Sequence, residues 1–221
     1  MSQLLQLFLQ NPLVPLLVVS ACSANKKCGG LDKDSLLTKD DLDDPVRRVS
    51  GETRLASYRL PAAQMYTGLG HGFVREAVSA LREHDYLVSH FILSAGYGFL
   101  NENDLIVPYN VTFAKQPKEW IRERGQRLSL RERFIAIAKE CDRAILILGR
   151  EYLEAIGLPL PTERLPHTLA YAAPSFVGRI GKGLETIPVG ETERRELGVY
   201  PTFVKEKKFK VDTFQVLGIQ A

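Results

Sequence analysis

LVVSACSANKKCGG, residues 17–30, is the stretch on which the reading of the fold turns. Leu16 to Val19 form an apolar, partly β-branched run, the pattern of a buried strand. It stops abruptly in small and polar residues, followed by two lysines and two glycines. In open α/β sheets ligands bind outside the carboxyl ends of parallel strands, so a buried strand emptying into such a loop is a place for chemistry. The loop offers hydroxyls on Ser20 and Ser23, a thiol on Cys22, an amide on Asn25 and ammonium groups on Lys26 and Lys27. That set suits an anionic or hydrogen-bonding ligand. Val19-Ser20-Ala21-Cys22 also has the form of a lipoprotein cleavage box. No Lys or Arg precedes Lys26, however, and Asn11-Pro12 and Pro15 interrupt the apolar run, which argues against a secretory signal.

Working outward, strands are predicted over residues 13–20, 87–93, 143–148 and 168–171. Helices are predicted over residues 3–10, from Pro61 to Met65, and over residues 72–84, 117–124, 129–141 and 150–156. Ser129, with Glu132 three residues on, reads as a capping box. The polar, charged stretch from 29 to 56, Asp-rich over 32–44, reads as a long excursion or partly mobile loop. Phe209, Val211 and Phe214 alternate as an added edge strand would. Strands alternating with helices predict a three-layer α/β/α sandwich with a mostly parallel sheet. The expected organisation is one catalytic domain over 1–185 with an acidic insertion at 31–56, and a C-terminal extension over 186–221 packing on it. The loops at 20–30, 94–98 and 174–183 should gather on one edge, joined by Pro108-Tyr109-Asn110.

The formal net charge of +3 decides little, but its distribution is uneven. Residues 115–133, including Arg124 and Arg127, are basic, as are Lys205 to Lys210. Such runs are either solvated faces or a phosphate-backbone footprint. Three cysteines make no disulfide framework, and Cys22 and Cys28 lack zinc-ligand spacing. Cys141 falls on an apolar helix face. A reduced, cytoplasmic, metal-free and cofactor-free protein is expected, and no apolar run approaches the ~20 residues of a membrane span. No hydrolase elbow, P-loop or dinucleotide fingerprint is present. Gly178, Gly181 and Gly183 are spaced as a turn, although Ser175, Arg179 and Lys182 there could touch phosphate. Tyr66 reads as core or as a ring stacking on a base, and Tyr97, between two glycines, as a turn aromatic or a ligand contact. Asp104 and Asn110 serve turn chemistry or orient water. Trp120 reads as a core anchor, and His71 and His167 as structural or surface residues.

Together, Ser20-Ala21-Cys22, the lysines at 26 and 27, Ala62 to Gly68, Ile92 to Gly98, Pro108-Tyr109-Asn110 and Ile145 to Gly149 with Tyr152-Leu153 resemble a bacterial and phage family. That family is related to the YaaA-type peroxide-stress proteins and distantly similar to the uracil-DNA glycosylase superfamily. The resemblance covers residues 14–185. Neither the superfamily's Gly-Gln-Asp-Pro-Tyr stretch nor its distal His motif is present.

The resemblance implies a uracil-DNA-glycosylase-like sandwich and hydrolysis of the N-glycosidic bond of a modified base, with duplex DNA as partner, the base flipped out, and phage DNA as a source. Asn25, Asp104 and Asn110 are then the catalytic candidates. Ser20, Cys22, Ser23, Tyr66, Ser94, Tyr97 and Tyr109 are the substrate-binding candidates. Lys26, Lys27, Ser175, Arg179, Lys182, Arg124 and Arg127 are the phosphate or DNA contacts. A pocket bounded by Ala95, Gly96 and Gly98 would admit bulky base substituents. Two other classes fit the same sequence: a DNA-binding stress-protection protein without catalysis, and a nucleoside hydrolase or deoxyribosyltransferase acting on small molecules.

Overall fold

The computed structural model describes residues 3–199 and 203–220. Helix α1 (Gln3–Phe8) leads into β1 (Leu16–Ala21), buried from Leu16 to Ser20. Beyond the β1 loop come α2 (Lys39–Asp43) and α3 (Pro45–Arg54). Next are β2 (Leu60–Pro61), α4 (Ala62–Met65) and α5 (Leu69–Glu83). Strand β3 (Val88–Ser94) turns back as β4 (Gly98–Asn101), and β5 (Leu105–Ile106) pairs with β2 outside the main sheet. Helices α6 (Lys118–Arg127) and α7 (Leu130–Ala138) precede β6 (Arg143–Ile147) and α8 (Arg150–Ile156). The chain closes with β7 (His167–Ala172), β8 (Glu185–Pro188), α9 (Glu191–Leu197) and α10 (Val204–Leu217).

The central sheet has six strands in the order β4-β3-β1-β6-β7-β8. All pairings are parallel except β3 with β4. Side chains alternate across it. Leu17, Val19, Ala144 and Leu146 face α6, α7 and α8, whereas Leu16, Val18, Ile145 and Ile147 face α1, α5 and α10. The protein is therefore a mixed α/β sandwich of three layers. Because β1 leads through α5 to β3 on one side and β6 leads through α8 to β7 on the other, the chain diverges at the carboxyl ends of β1 and β6. Such a divergence opens a crevice in doubly wound sheets.

Four local expectations change. The acidic excursion is ordered helix: Thr38 and Asp41 form a reciprocal cap on α2, and Asp44 with Pro45 starts α3. Leu37, Leu42 and Leu55 anchor it in the core. Ser129 does not cap α7, because only Leu128 and Ser129 join α6 to α7; Ser129 reverses the chain in the left-handed region (φ 49°) and its hydroxyl caps nothing. Residues 204–217 form a helix, not an edge strand, burying Val204, Glu206, Phe209, Asp212 and Thr213. Cys141 lies beyond the end of α7, half-buried against the core.

Candidate functional site

The crevice predicted by the topology exists. It has a volume of ≈ 260 Å³. The β1 loop forms one wall (Cys22, Ser23, Asn25), the first turn of α5 another (Gly68, Gly70, His71), and α8 (Glu151, Tyr152) and α10 (Lys205, Glu206) the rest. Gly68 is required where α5 meets the β1 loop, since a Cβ there would collide with the Ser23 side chain. Helix α10 is fixed over α5 and the sheet by a buried carboxylate: Asp212 accepts from Tyr171 Oη (3.1 Å) and pairs with Lys208 Nζ (2.7 Å). This fastening brings Glu206 to Gly70, at the amino end of α5, where aligned peptide dipoles favour a negative charge.

Two polar atoms in this wall lack hydrogen-bond partners. Glu206 is buried; Lys205 Nζ holds its Oε1 at 2.6 Å, while Oε2 has none. His71 donates from Nε2 to the Ala63 carbonyl at 3.1 Å, leaving Nδ1 unpartnered. Burial lowers the His71 pKa to about 4, only partly offset by the Ala63 hydrogen bond, so the ring is neutral at pH 7 and Nδ1 carries a lone pair. Buried polar atoms are normally satisfied, and two orphans in one crevice wall mark where water or ligand belongs.

Of the sequence-derived candidates, Cys22, Ser23 and Asn25 line this crevice. Cys22 Sγ lies 3.3 Å from Tyr152 Oη, which also donates to the Cys22 carbonyl (3.2 Å). Asp104 and Asn110 do not line it. Asp104 Oδ2 accepts the Asn101 amide (2.8 Å) in the turn after β4, and the exposed Asn110 donates its amide to the Leu37 carbonyl (2.8 Å).

Ser94, Tyr66, Tyr97 and Tyr109 are buried framework. Tyr109 Oη lies 2.7 Å from both Tyr66 Oη and Ser94 Oγ, and Ser94 Oγ accepts the Gly96 and Tyr97 amides. Tyr97 packs edge-on to Tyr109 beneath the Arg48 guanidinium. Burial pushes the Tyr66, Tyr109 and Tyr152 phenols well above their ordinary pKa. No base can stack there, and the expected pocket at Ala95, Gly96 and Gly98 is filled: a Cβ on Gly96 would lie 2.6 Å from the Tyr109 ring.

Ser20, His90 and Glu102 form a hydroxyl–imidazole–carboxylate chain, with Ser20 Oγ to His90 Nε2 at 2.9 Å and His90 Nδ1 to Glu102 Oε2 at 3.2 Å. Ser20 and His90 are sealed beneath α5, on the face that carries Val18. The chain therefore ties β1, β3 and the end of β4 together and is closed to substrate. Burial alone would raise the Glu102 pKa, but hydrogen bonds from His90 and Arg82 outweigh it and hold that carboxyl at about 2.

Of the expected basic footprint, Arg124 is internal, while Arg127, Lys27, Arg179 and Lys182 are exposed. Arg124 is buried; its guanidinium donates to the Ala95 and Gly96 carbonyls (2.9 Å each) and pairs with Asp43. Arg127 Nε reaches the same carboxylate at 3.1 Å. Lys26 lies 4.3 Å from the Tyr109 ring centroid, and burial lowers its pKa against the opposing pull of Cys22 and Cys28. Ser175, Arg179 and Lys182 are exposed on the loop after β7, outside the crevice, with Arg179 over the Phe176 ring. Lys27 lies beside the crevice, in an adjoining depression. Trp120 packs edge-on to Phe113, and His167 pairs with Glu185 at the sheet edge. A larger depression between α6, α7 and α8 (≈ 560 Å³) has engaged side chains: Arg122 pairs with Glu154, and Arg131 donates to the Gly157 and Pro159 carbonyls.

Fold and site thus define an α/β/α protein with a polar crevice where β1 and β6 diverge, and no helix among the described residues is long and apolar enough to cross a membrane. The chain belongs to a family of unknown function, DUF6884, whose model matches residues 47–171, more than half of it. That segment carries the α5 and α8 walls; the β1 loop and α10 lie outside it. No curated protein matches the chain.

Proposed function

We propose that this protein hydrolyses the N-glycosidic bond of a nucleotide carrying a modified base, with DNA as the source that the family resemblance implies. The observation that carries this reading is Glu206, a buried carboxylate with an unpartnered oxygen, in a crevice that also holds an amide and a neutral imidazole. Loss of a base from C1′ takes the bonding electron pair with it and leaves an oxocarbenium-like sugar. A carboxylate in a site of low dielectric stabilises that charge. Water attacks C1′, Glu206 accepts its proton, the Asn25 amide orients it, and the departing base is protonated in turn. The products are an intact sugar–phosphate backbone bearing an abasic sugar, and the free base.

One observation favours a second reading, base release from free nucleosides or nucleotides. Arg124 and Arg127, the basic helix residues expected to follow a duplex, are engaged with Asp43. The test incubates the protein with duplexes, single strands and mononucleotides carrying modified and ordinary bases, and scores free base and alkali-labile abasic sites. Base from duplex supports the first reading, and base from mononucleotides alone the second. Binding to DNA without base release would replace both with a non-catalytic DNA-binding protein.

A further inference from the structure

The crevice is the middle of three adjoining depressions along the carboxyl edge of the sheet. On one side it shares Gly68 and His71 with a depression of ≈ 380 Å³ that also contains Lys27 and Arg75. Arg75 stands one helical turn beyond His71 on the same face of α5. Lys27 and Arg75 are both exposed, and among the described residues neither has an ion-pair partner within 4.0 Å. This contrasts with Arg124, Arg127, Lys205 and Lys208, whose charges are matched within the fold.

On the other side the crevice shares Gly149 and Lys205 with a smaller cavity of ≈ 160 Å³. Its walls are mainly apolar, from Leu153, Ala172, Phe176, Val189 and Val204, with the charged side chains of Arg150 and Lys205 also lining it. Along the edge, the Lys27–Arg75 depression leads through hydrogen-bonding groups to a chamber with a mainly apolar interior, which Arg150 and Lys205 also line. Ligand sites combine apolar walls with a few placed polar groups, and this order matches phosphate, sugar and base.

We infer that the three depressions form one trench for a nucleoside 5′-phosphate: phosphate at Lys27 and Arg75, sugar between Asn25, His71 and Glu206, and base in the Phe176–Val189–Val204 chamber. The assignment rests on the N-glycosidic reading only for the bond at its centre. The same chemistry is presented by a free nucleotide and by a nucleotide extruded from a strand.

The test is calorimetric binding to the full chain of the four 2′-deoxynucleoside 5′-monophosphates and of monophosphates carrying the modified bases of the hydrolysis assay, with the matching nucleosides and 2-deoxyribose 5-phosphate. Two variants accompany it: Lys27→Gln with Arg75→Gln, and Ala173→Trp, which puts a ring at the exposed rim of the chamber. At least one monophosphate should bind about tenfold or more tighter than its nucleoside, and the double variant should erase that difference. Ala173→Trp should weaken the monophosphate at least fivefold and leave 2-deoxyribose 5-phosphate within twofold. Equal affinity for nucleotide and nucleoside, equal weakening of both phosphates by Ala173→Trp, or no binding of any monophosphate overturns the trench. Base release followed in the same samples separates the two ideas. Phosphate-dependent binding without release removes the hydrolase reading and keeps the trench, and release without phosphate dependence does the reverse. Comparing the best monophosphate with the same nucleotide in a short single strand and in a duplex identifies the source by the tighter partner.

Discussion

Replacing Arg124 with Met should destabilise the protein severely. The guanidinium is buried and makes three kinds of contact: the Ala95 carbonyl at 2.9 Å, the Gly96 carbonyl at 2.9 Å and the Asp43 carboxylate. Removing it orphans two carbonyls at the β3–β4 turn and takes away one of the cations on a largely buried carboxylate. Breaking a buried pair from one side costs about 3–5 kcal/mol, and each unsatisfied buried polar group about 1–3 kcal/mol. These terms overlap. Lys39 at 2.9 Å and Arg127 at 3.1 Å also still neutralise Asp43, which places the expected loss at about 3–4 kcal/mol. Against a typical total of about 5–15 kcal/mol that is a large fraction. Urea unfolding followed by far-ultraviolet circular dichroism would show a fall in midpoint at nearly constant slope. Asp43→Asn should also destabilise, since burial raises the pKa of this carboxyl but the hydrogen bonds and charges of Lys39 and Arg124 together outweigh it and hold the group below its ordinary value. It should lose less, because Arg124 keeps its Ala95 and Gly96 carbonyls. A phosphate contact on a DNA groove would behave in the opposite way, with stability within about 0.5 kcal/mol of the parent and nucleic-acid binding lost. That result would refute the assignment of Arg124 to the internal clamp.

Two further perturbations follow from the packing and the buried ring. His71 has its folded pKa lowered to about 4 by burial, so the unfolded chain binds its proton first; stability should fall as pH drops from about 6.5 to 4, by up to about 3 kcal/mol, and His71→Gln should flatten that limb of a urea-midpoint against pH curve. Gly125→Ala should cost about 1–3 kcal/mol, because the new methyl meets the Ala155 carbonyl where α6 crosses α8, and thermal unfolding would register it as a lower midpoint.

The architecture was legible because its strands are chemically plain. Ala144 to Leu148 and, once a secretory signal is set aside, Leu16 to Val19 read as buried strands, and their separation by helix-length segments leads to a parallel sheet. Strands β4 and β8 escaped because they are four residues each and carry no alternation strong enough to mark them. The last helix was misread for a specific reason. Phe209 and Val211 suggest alternation, but the buried set is Val204, Glu206, Phe209, Asp212 and Thr213, on one face of a helix, and two of its members are acidic. A carboxylate at a core position reads as surface unless its partner is known, and the partners of Asp212, Tyr171 and Lys208, lie in another element or outside the apolar pattern.

Half of the site was visible in the same way. Cys22, Ser23 and Asn25 follow a strand and could be placed at its end without coordinates. His71 gave no signal, because what makes it notable is a missing partner on Nδ1, a property of packing alone. Glu206 reaches the crevice only because the chain's final helix returns over α5. The tyrosines were misassigned for the converse reason. Tyr66, Tyr97 and Tyr109 are close in space, as their loops suggested, but they meet each other and are buried.

The central claim is that the Glu206 carboxylate takes part in releasing a base. The most direct measurement is the rate of free-base formation by Glu206→Gln beside the parent protein, on whichever modified-base substrate the parent cleaves. The exchange is isosteric and leaves α10 held by Asp212, so the circular dichroism spectrum should stay close to the parent's, while loss of the charge facing Lys205 lowers the urea midpoint. Loss of a general base lowers rates by about 10²–10⁴-fold, and a fall of that order in turnover with little change in substrate affinity is the expected result. A folded Glu206→Gln protein that releases base at the parental rate would contradict the account.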